Sequence, residues 1–556
     1  MKPGLIPDLS SLKPRMFDMF RKDAYSGQVF VKDLLAGITV GVVALPLAMA
    51  FSIAAGGTPQ QGLVTAVMAG FFCSLLGGSK FQISGPTGAF VVIIYGIISR
   101  QGMDGLLIAT LLAGLMLIGM GFSGLGKLIK YIPYPVTTGF TTGIGLLIFT
   151  QQIKDFWGLS IEQPSPEFFE RWAQYVENFS TFNLTAFGIG VLTIALILLV
   201  RKFYPAIPAS VASVTIVTLL TLLARIPVET VGSRFGAIPA GFPPLQLPAL
   251  KWSTLRAVFS DAFTIAMLAA IESLLSAVVA DGMTGDRHKS NAELVAQGIG
   301  NIASALFGGI PATGAIARTA TNIKAGAKSP VSGMVHAMVL LAFMLFLSPV
   351  ASIIPLASLA GVLIVVAFDM SDLERFMRII RRAPRSDIIV LLTTFIITVV
   401  IDLTAAVEIG VLLAILLFFK RMIEVSGVRR SDVAVQLFFG ETDEQPIPRH
   451  SKDIEVFEIT GPFFFGVADM LQDTLFTLEK TPHVFLLDMH QVPAIDATGI
   501  VALRSFIEHC NKKKVACAIC GLQEQPAQAL EKAGILKLID TRVFPTLSEG
   551  LAAFQK

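Results

Sequence analysis

The chain has 556 residues, of which 53% are hydrophobic and only 15% charged, with a formal net charge of +3 and a mean hydropathy of +0.71. Soluble domains carry about 25% charged residues, so the composition excludes an ordinary soluble protein, and no nucleic-acid partner is expected. Nearly uncharged runs recur from about residue 33 to residue 420, and stretches of roughly 20 apolar residues are membrane spans.

In chain order, residues 1–30 form a charged segment without the apolar core of a cleavable signal. Lys13, Arg15, Arg21, Lys22 and Lys32 precede the first span. Further basic residues follow at Lys127, Lys130, Arg201, Lys202, Lys324 and Lys328, in "RFMRIIRRAPR", and at Lys420, Arg421, Arg429 and Arg430. The connections "GGTPQQ" and "SPVASIIP" are uncharged, and "EQPSPEFFERWAQYVENF" is acidic. Basic connections stay in the cytoplasm, which predicts both termini inside and an even number of spans, fourteen on inspection. The first span, "GITVGVVALPLAMAFSIAAG", contains Pro46 and Phe51, both candidates for the apolar wall of a site. Gly37 with Gly41, and Gly139 with Gly143, have the spacing that lets helices approach closely.

The segment "QISGPTGAF", residues 82–90, places Gly85, Pro86 and Gly88 where an unbroken span should run. A Pro/Gly-rich connection over residues 226–251 then divides the membrane part into halves of about seven spans, about 31–225 and 252–425. In the second half "GGIPATGAIARTATNIKAGA", residues 308–327, is again the third segment and again broken, by Pro311 and Gly314. Helices from Pro86 to Ser99 and from Gly314 to Ala325 would be roughly 21 Å and 18 Å long, and neither crosses a core of about 30 Å. Two interrupted segments in matching positions of two halves mark a transporter site at the bilayer midplane. In inverted halves their N-termini face each other, offering unpaired N–H groups and partial positive charge to an anion. Thr87, Gly88 and Ala89 open the first half-helix; Gly314, Ala315, Ile316, Ala317 and Arg318 open the second.

Charged groups at such depth are functional by default. Arg318 is expected to bind the anion, or to serve as counter-ion to Glu272. Glu272 lies deep in "DAFTIAMLAAIESLLSAVVAD" with Ser276 four residues on, along the same helix face. It suits proton coupling, with a structural salt bridge as the other reading. His336 reads as a satisfied core histidine. No metal or cofactor is implied.

From about Asp432 the pattern changes to strand-like "DIEVFEITGPFFF" and "HVFLLDM", helix-periodic "TGIVALRSFIEHC", strand-like "KVACAIC", and a helix ending near Gly534. This describes a small α/β domain at 432–556, after the last basic stop. Cys517 and Cys520, three apart on one strand, point to opposite faces, so they read with Cys73 and Cys510 as core residues. Asp496 or Thr498 caps the helix that follows "MHQVPAI".

The segments "ALPLAMAFSIAAG", "ISGPTGAF" and "HKSNAELVAQGIGNIASALFGGIPATGAIARTATN", with the terminal "IDATG", resemble the SulP anion transporters, solute carrier family 26, over nearly the whole chain. "KDLLAGITVG" and "YIPYPVTTGFTTGIG" resemble the bacterial aerobic C4-dicarboxylate transporter branch. The resemblance implies a polytopic α-helical membrane protein of two inverted seven-span repeats. Spans 1–4 and 8–11 would form a core domain that moves, elevator-like, against a gate domain of spans 5–7 and 12–14. It also implies a C-terminal cytosolic STAS domain, a homodimer in the bacterial plasma membrane, and an anion held near Thr87 and Gly314 by Phe51 and Arg318. Sodium-coupled relatives carry an aspartate in the eighth span and a hydroxyl residue in the tenth. Here Glu272 and Ile316 stand there, and Ile316 offers sodium no side-chain oxygen, which points to protons. The STAS turn resembles one phosphorylated on a hydroxyl residue; Thr498 keeps a hydroxyl, and the turn is a candidate regulatory site for a cytosolic partner. The leading expectation is proton symport of a C4-dicarboxylate such as succinate, fumarate or aspartate. Sulfate or bicarbonate transport, a passive anion channel, and a membrane-anchored regulator are the alternatives.

Overall fold

The computed structural model describes residues 9–20, 25–127, 133–204, 207–236, 241–245, 248, 251–401, 403–430, 454–464, 470–471, 482–539 and 542–554. Arg21, Lys22, Lys130 and residues 237–240, 246–247 and 249–250 of the Pro/Gly-rich connection lie outside these. The chain forms two compact units, Met1–Ala414 and Ile415–Lys556.

The first unit is helical. Its first seven segments are α1 (Gly27–Ala54), α2 (Pro59–Leu76), α3 and α4, α5 (Tyr134–Trp157), α6 (Leu184–Phe203) and α7 (Ala209–Leu223). The pair α3 and α4 is the stretch Gly88–Phe122 broken into 88–101 and 103–122 by Gly102, whose φ of 70° no helix permits. The second set is α8 (Phe259–Thr284), α9 (Ser290–Leu306), α10 (Ile316–Lys324), α11 (Val331–Phe346), α12 (Leu356–Ser371), α13 (Arg385–Val400) and α14 (Leu403–Val425), which runs into the second unit. In each set the third helix is the short one. Each is preceded by a two-residue strand, β1 (Ser84–Gly85) and β2 (Thr313–Gly314), and the two pair antiparallel, Ser84 opposite Gly314. Antiparallel pairing sends the chains away in opposite directions, so α3 and α10 start side by side and point apart. That is the inverted arrangement.

Packing divides the helices into a core and a gate. In the core, α9 packs on α2 and α4, and α11 on α1 and α2; in the gate, α12 packs on α5 and α6, and α13 on α5. The crossovers leading into α3 and α10 are buried and non-helical, and such backbone must be satisfied inside the protein. Residues of α9 spaced as one helix face do much of this. Glu293 Oε2 accepts from the N–H groups of Gly78 (2.9 Å) and Ser79 (3.1 Å), and Gln297 Nε2 donates to Ser84 Oγ (2.7 Å). Asn301 binds both the N–H and the carbonyl of Ala312 at 2.8 and 2.9 Å, and Ser304 donates to the Ile310 carbonyl at 2.8 Å. Thr65 of α2 accepts from the Ile310 N–H at 2.7 Å. The buried face of α10 serves the other crossover: Thr319 accepts from Ile83 N–H, and Asn322 donates to the Phe81 carbonyl at 3.0 Å.

Two peripheral attachments matter. On the side where α1 begins, a short helix Arg15–Phe20 is strapped to the core. Lys289 donates to Asp18 at 2.6 Å, Arg15 reaches Asp286 and the Arg287 carbonyl, and Lys80 pairs with Asp286 at 2.7 Å. Burial opposes ionisation of Asp18 and Asp286, but these cations outweigh it and hold both carboxyls below their ordinary range. On the opposite side, the segment between α5 and α6 includes the helix Phe168–Glu177 and reaches α3. Tyr95 of α3 donates its hydroxyl to the Pro164 carbonyl, and the buried Arg171 guanidinium lies 5.0 Å from the Tyr95 ring centroid.

The second unit is a five-stranded sheet of order β3 (Gly427–Arg430), β4 (Ile454–Thr460), β5 (Val484–Gln491), β6 (Ala516–Cys520) and β7 (Val543–Phe544). Strand β3 is antiparallel to β4 and the rest are parallel. Helices α15 (Ala497–Lys512), α16 (Glu524–Lys532), α17 (Ile535–Leu538) and α18 (Leu547–Ala553) cover it. The sheet therefore starts before the composition change at Asp432. Cys517 and Cys520 enter hydrophobic clusters on opposite faces, as strand alternation requires. Burial, with the nearby charges of Asp488 and Glu549, pushes the Cys520 thiol up to about 12, which suits a core residue.

Two outcomes test this account. Asn301→Ala leaves the N–H and carbonyl of Ala312 buried and unpaired, at about 1–3 kcal/mol for each group, and should lower the melting temperature in detergent; no change would mean that water replaces the amide. The Asp18 and Asp286 pairings persist wherever both carboxyls are ionised and are lost only as pH falls through values depressed below the ordinary 3.8. Trypsin cleavage after Arg15, taken relative to an unstructured reference peptide at each pH, should therefore be equally slow at pH 5 and pH 7, and faster at both in Asp18→Asn.

Candidate functional site

Pro86 lacks an N–H and disfavours helix at Gly85 before it, so the chain stays extended through β1 and the helix begins only at Gly88. The Thr87 side chain, at the N-cap, does not cap. It donates instead to Glu272 Oε2 of α8 at 3.0 Å. The other half-helix begins at Ile316 with Ala315 as N-cap, which has no polar side chain to offer. Ser26, Thr58 and Asn183 cap α1, α2 and α6, whereas α5, α8 and α9 have no side-chain cap either, so what sets the two half-helices apart is that both start inside the protein beside the paired β1 and β2. Their uncapped first N–H groups and positive dipole ends lie near each other.

Thr87, Gly88, Ala89 and Phe51 lie together at the start of α3, all buried. The Phe51 ring lies against Gly88, where an added Cβ would be 3.3 Å from Cε1. Ile316 and Ala317, at the start of α10, are exposed. The expectation that Gly314 and Ala315 open the second half-helix is corrected. Gly314 is in β2 and donates its N–H to Ser273 Oγ (2.9 Å), and Ala315 donates to the Ile83 carbonyl (2.8 Å). Neither amide is left for a ligand.

Arg318 is buried in the first turn of α10. Its Nη2 donates to the Pro86 carbonyl, while Nη1 lies against Gly85 and has no hydrogen-bond partner among the described residues. An added Cβ at Gly85 would stand 2.8 Å from that nitrogen, so a larger residue there would make the guanidinium shift. Arg318 forms no contact ion pair with Glu272; the two act on each other through space. The simple counter-ion reading is therefore corrected, and Arg318 fixes the first crossover while keeping one nitrogen and its charge uncommitted. Ser276 is also placed differently from expectation: its hydroxyl donates to Thr319 Oγ1 at 3.1 Å, one turn from Glu272. His336 is buried with neither ring nitrogen in a well-formed hydrogen bond, so it is not the satisfied core histidine expected.

In the second unit, Asp496 accepts from the Gly499 N–H at 2.7 Å and caps α15, while Thr498 is exposed beside it. Sequence reasoning missed Ser273, which bonds Gly314 N–H and Thr313 Oγ1, and the polar face of α9. The signal for the latter was visible: Glu293, Gln297, Asn301 and Ser304 recur at helical spacing in an otherwise small, apolar segment.

A model of the sulfate permease family matches residues 30–394, and a STAS domain model matches residues 445–550. "Putative sulfate transporter YvdB" of Bacillus subtilis is 42% identical over 527 residues, which cover 94% of this chain and 97% of that one. "Bicarbonate transporter BicA" of Synechocystis is 32% identical over 543 residues, 93% of each chain. Among solved structures, the transmembrane domain of a cyanobacterial bicarbonate transporter BicA aligns with a TM-score of 0.62 at 32% identity, covering 70% of this chain and 98% of that one. The overall structure of SLC26A9 aligns with a TM-score of 0.84 at 20% identity, covering 98% of this chain and 93% of that one, and so shares the fold.

The Thr87–Glu272 bond yields a direct test. Thr87→Val keeps the shape and removes the donor, and should shift the pH profile of anion uptake; Thr87→Ser should leave it in place. The same profile in both variants would remove Thr87 from any part in setting the carboxylate.

Proposed function

The chain belongs to the sulfate permease family, and from that premise we propose that it is a secondary carrier that moves a compact oxyanion of the sulfate or bicarbonate kind together with protons. The observation that carries this reading is the meeting of two uncapped helix N-termini beside Thr87, Glu272 and Arg318. Helix N-termini bind oxyanions through N–H groups and dipole, and the Arg318 charge adds to them. The names of the relatives, a sulfate and a bicarbonate transporter, point to the same class of solute.

A C4-dicarboxylate ranks second. Its far carboxylate needs a second cationic partner. The gate residues opposite α3, Ile148 and Met370, are apolar.

Glu272 supplies the coupling. An anion in the cradle is repelled by an ionised carboxylate a few ångströms away, whereas a protonated carboxyl adds no negative charge. Anion and proton therefore favour each other's binding, which is the linkage that symport requires. Ile316 gives sodium no side-chain oxygen, and hard cations want several. The basic side of the helices is assigned to the cytoplasm on charge placement, with the core sliding against the gate to expose the site alternately. Thr498, exposed at a helix start, is a candidate for modification or for docking a cytosolic partner on the STAS domain.

In proteoliposomes, an inward proton gradient should drive accumulation of sulfate or bicarbonate above the external level. Glu272→Gln, which mimics the protonated state, should bind the anion with little change and lose the dependence on the gradient. Equilibration without accumulation in the wild type would make the protein a channel, and an unchanged pH dependence in the variant would remove Glu272 from the coupling.

A further inference from the structure

The connection between α12 and α13 is a short helix, Leu373–Arg382, set off from α12 by Asp372, whose φ of 39° ends the preceding helix, and from α13 by Pro384. At about 100° per residue its side chains fall into three stripes. Phe376, Ile379 and Ala383 point into the gate, where they pack with Leu391 and Phe395 of α13, and the Phe376 and Phe395 ring centroids are 5.3 Å apart. Leu373, Met377 and Ile380 form a second stripe, with Leu373 50% and Met377 36% exposed. Arg375, Arg378 and Arg382 form the third, all exposed, and Arg381 lies between it and the apolar stripe. The two acids at the start of the helix are engaged: Asp372 pairs with Arg375 at 2.9 Å and Glu374 with Arg378 at 2.6 Å. Arg381, Arg382 and the exposed Arg385 at the start of α13 pair with no acid among the described residues. Phe368, just before this connection, and Ile389, one turn beyond Arg385, are exposed on the flanking spans.

We propose that this helix lies in the membrane–water boundary and binds the headgroups of anionic phospholipids, with its free arginines on the phosphates and Leu373 and Met377 among the first acyl methylenes. The flanking spans present apolar side chains to within about a turn of it, so the helix stands where acyl chains give way to headgroups. Helices that lie at this level combine an apolar stripe with a basic face, and arginine holds phosphate through two parallel N–H groups. Retention of positive charge on the cytoplasmic side requires basic residues somewhere in the connection. It does not gather them on one face beside an exposed apolar stripe. The leaflet on that side is the one with negative surface potential. Lipid bound there fastens the gate to the bilayer surface through Phe376 and Ile379, whatever anion the cradle holds.

The test is the melting temperature of the full-length protein in neutral detergent, titrated with dioctanoyl phosphatidylglycerol, dioctanoyl phosphatidylcholine or glycerol phosphate. Phosphatidylglycerol should raise it to a plateau, and the other two should not. Arg381→Gln combined with Arg382→Gln should weaken the apparent affinity about 25-fold, each arginine near an anionic surface being worth roughly a factor of five. Lys251→Gln combined with Arg256→Gln, both exposed in the connection before α8, should leave it unchanged. The same affinity in the wild type and the Arg381/Arg382 variant overturns the proposal, as does an equal loss in the Lys251/Arg256 variant, which would show net charge alone at work. Equal stabilisation by phosphatidylcholine or by glycerol phosphate also overturns it, the first by leaving the headgroup charge without a part and the second by leaving the acyl chain without one.

Discussion

Backbone that leaves a helix inside a bilayer has to find its hydrogen-bond partners within the protein, and the whole arrangement follows from how this chain meets that demand. The two crossovers are joined to each other by β1 and β2 and are otherwise held by side chains from both repeats. Residues of α9 and α10 serve the segment before α3, while the segment before α10 is held by Thr65 of α2 together with Ser273, Asn301 and Ser304 of its own repeat. This shared support places two helix starts side by side, and with the crossovers satisfied elsewhere the first amides of α3 and α10 are left without side-chain caps.

The division of polarity between the two bodies has a physical consequence for movement. A sliding interface crossed by ion pairs or hydrogen bonds to the ligand would have to break them at every step, each worth about 0.5–1.5 kcal/mol or more when charged. Here Thr87, Glu272 and Arg318 are carried on one body, and the atoms of the other nearest to Gly88, Ile148 Cδ1 and Met370 Sδ, make dispersion contacts, which vary gently with position.

Much of this was legible in the sequence because the strongest signals are violations. Pro86, Gly88, Pro311 and Gly314 stand where an unbroken span has no use for them, and Glu272 and Arg318 stand where charge is expensive. The breaks predicted the half-helices and their opposition. They did not fix the first helical residue of α10, because the choice between Gly314 and Ile316 depends on β pairing and on Ser273, which lies forty residues away. The polar face of α9 was visible as a series with steps of four, four and three residues but gave no hint of what it would serve. Ile148 and Met370 were invisible, since a contact residue is ordinary hydrophobic sequence until its partner surface is known. In the α/β domain, strand alternation alone placed Cys517 and Cys520 on opposite faces, and Asp496 caps its helix as its position suggested.

The contact at Tyr95 acquires significance from its place on α3. That half-helix is one stiff rod, with its uncapped amides at its start and Tyr95 two turns along, clasped by Pro164 and Arg171 from the segment joining two gate helices. The two ends of the same fourteen-odd residues thus answer to different partners, Glu272 and Phe51 at one and Pro164 and Arg171 at the other, so that a change at Tyr95 loosens one fastening and leaves the contacts of the other in place.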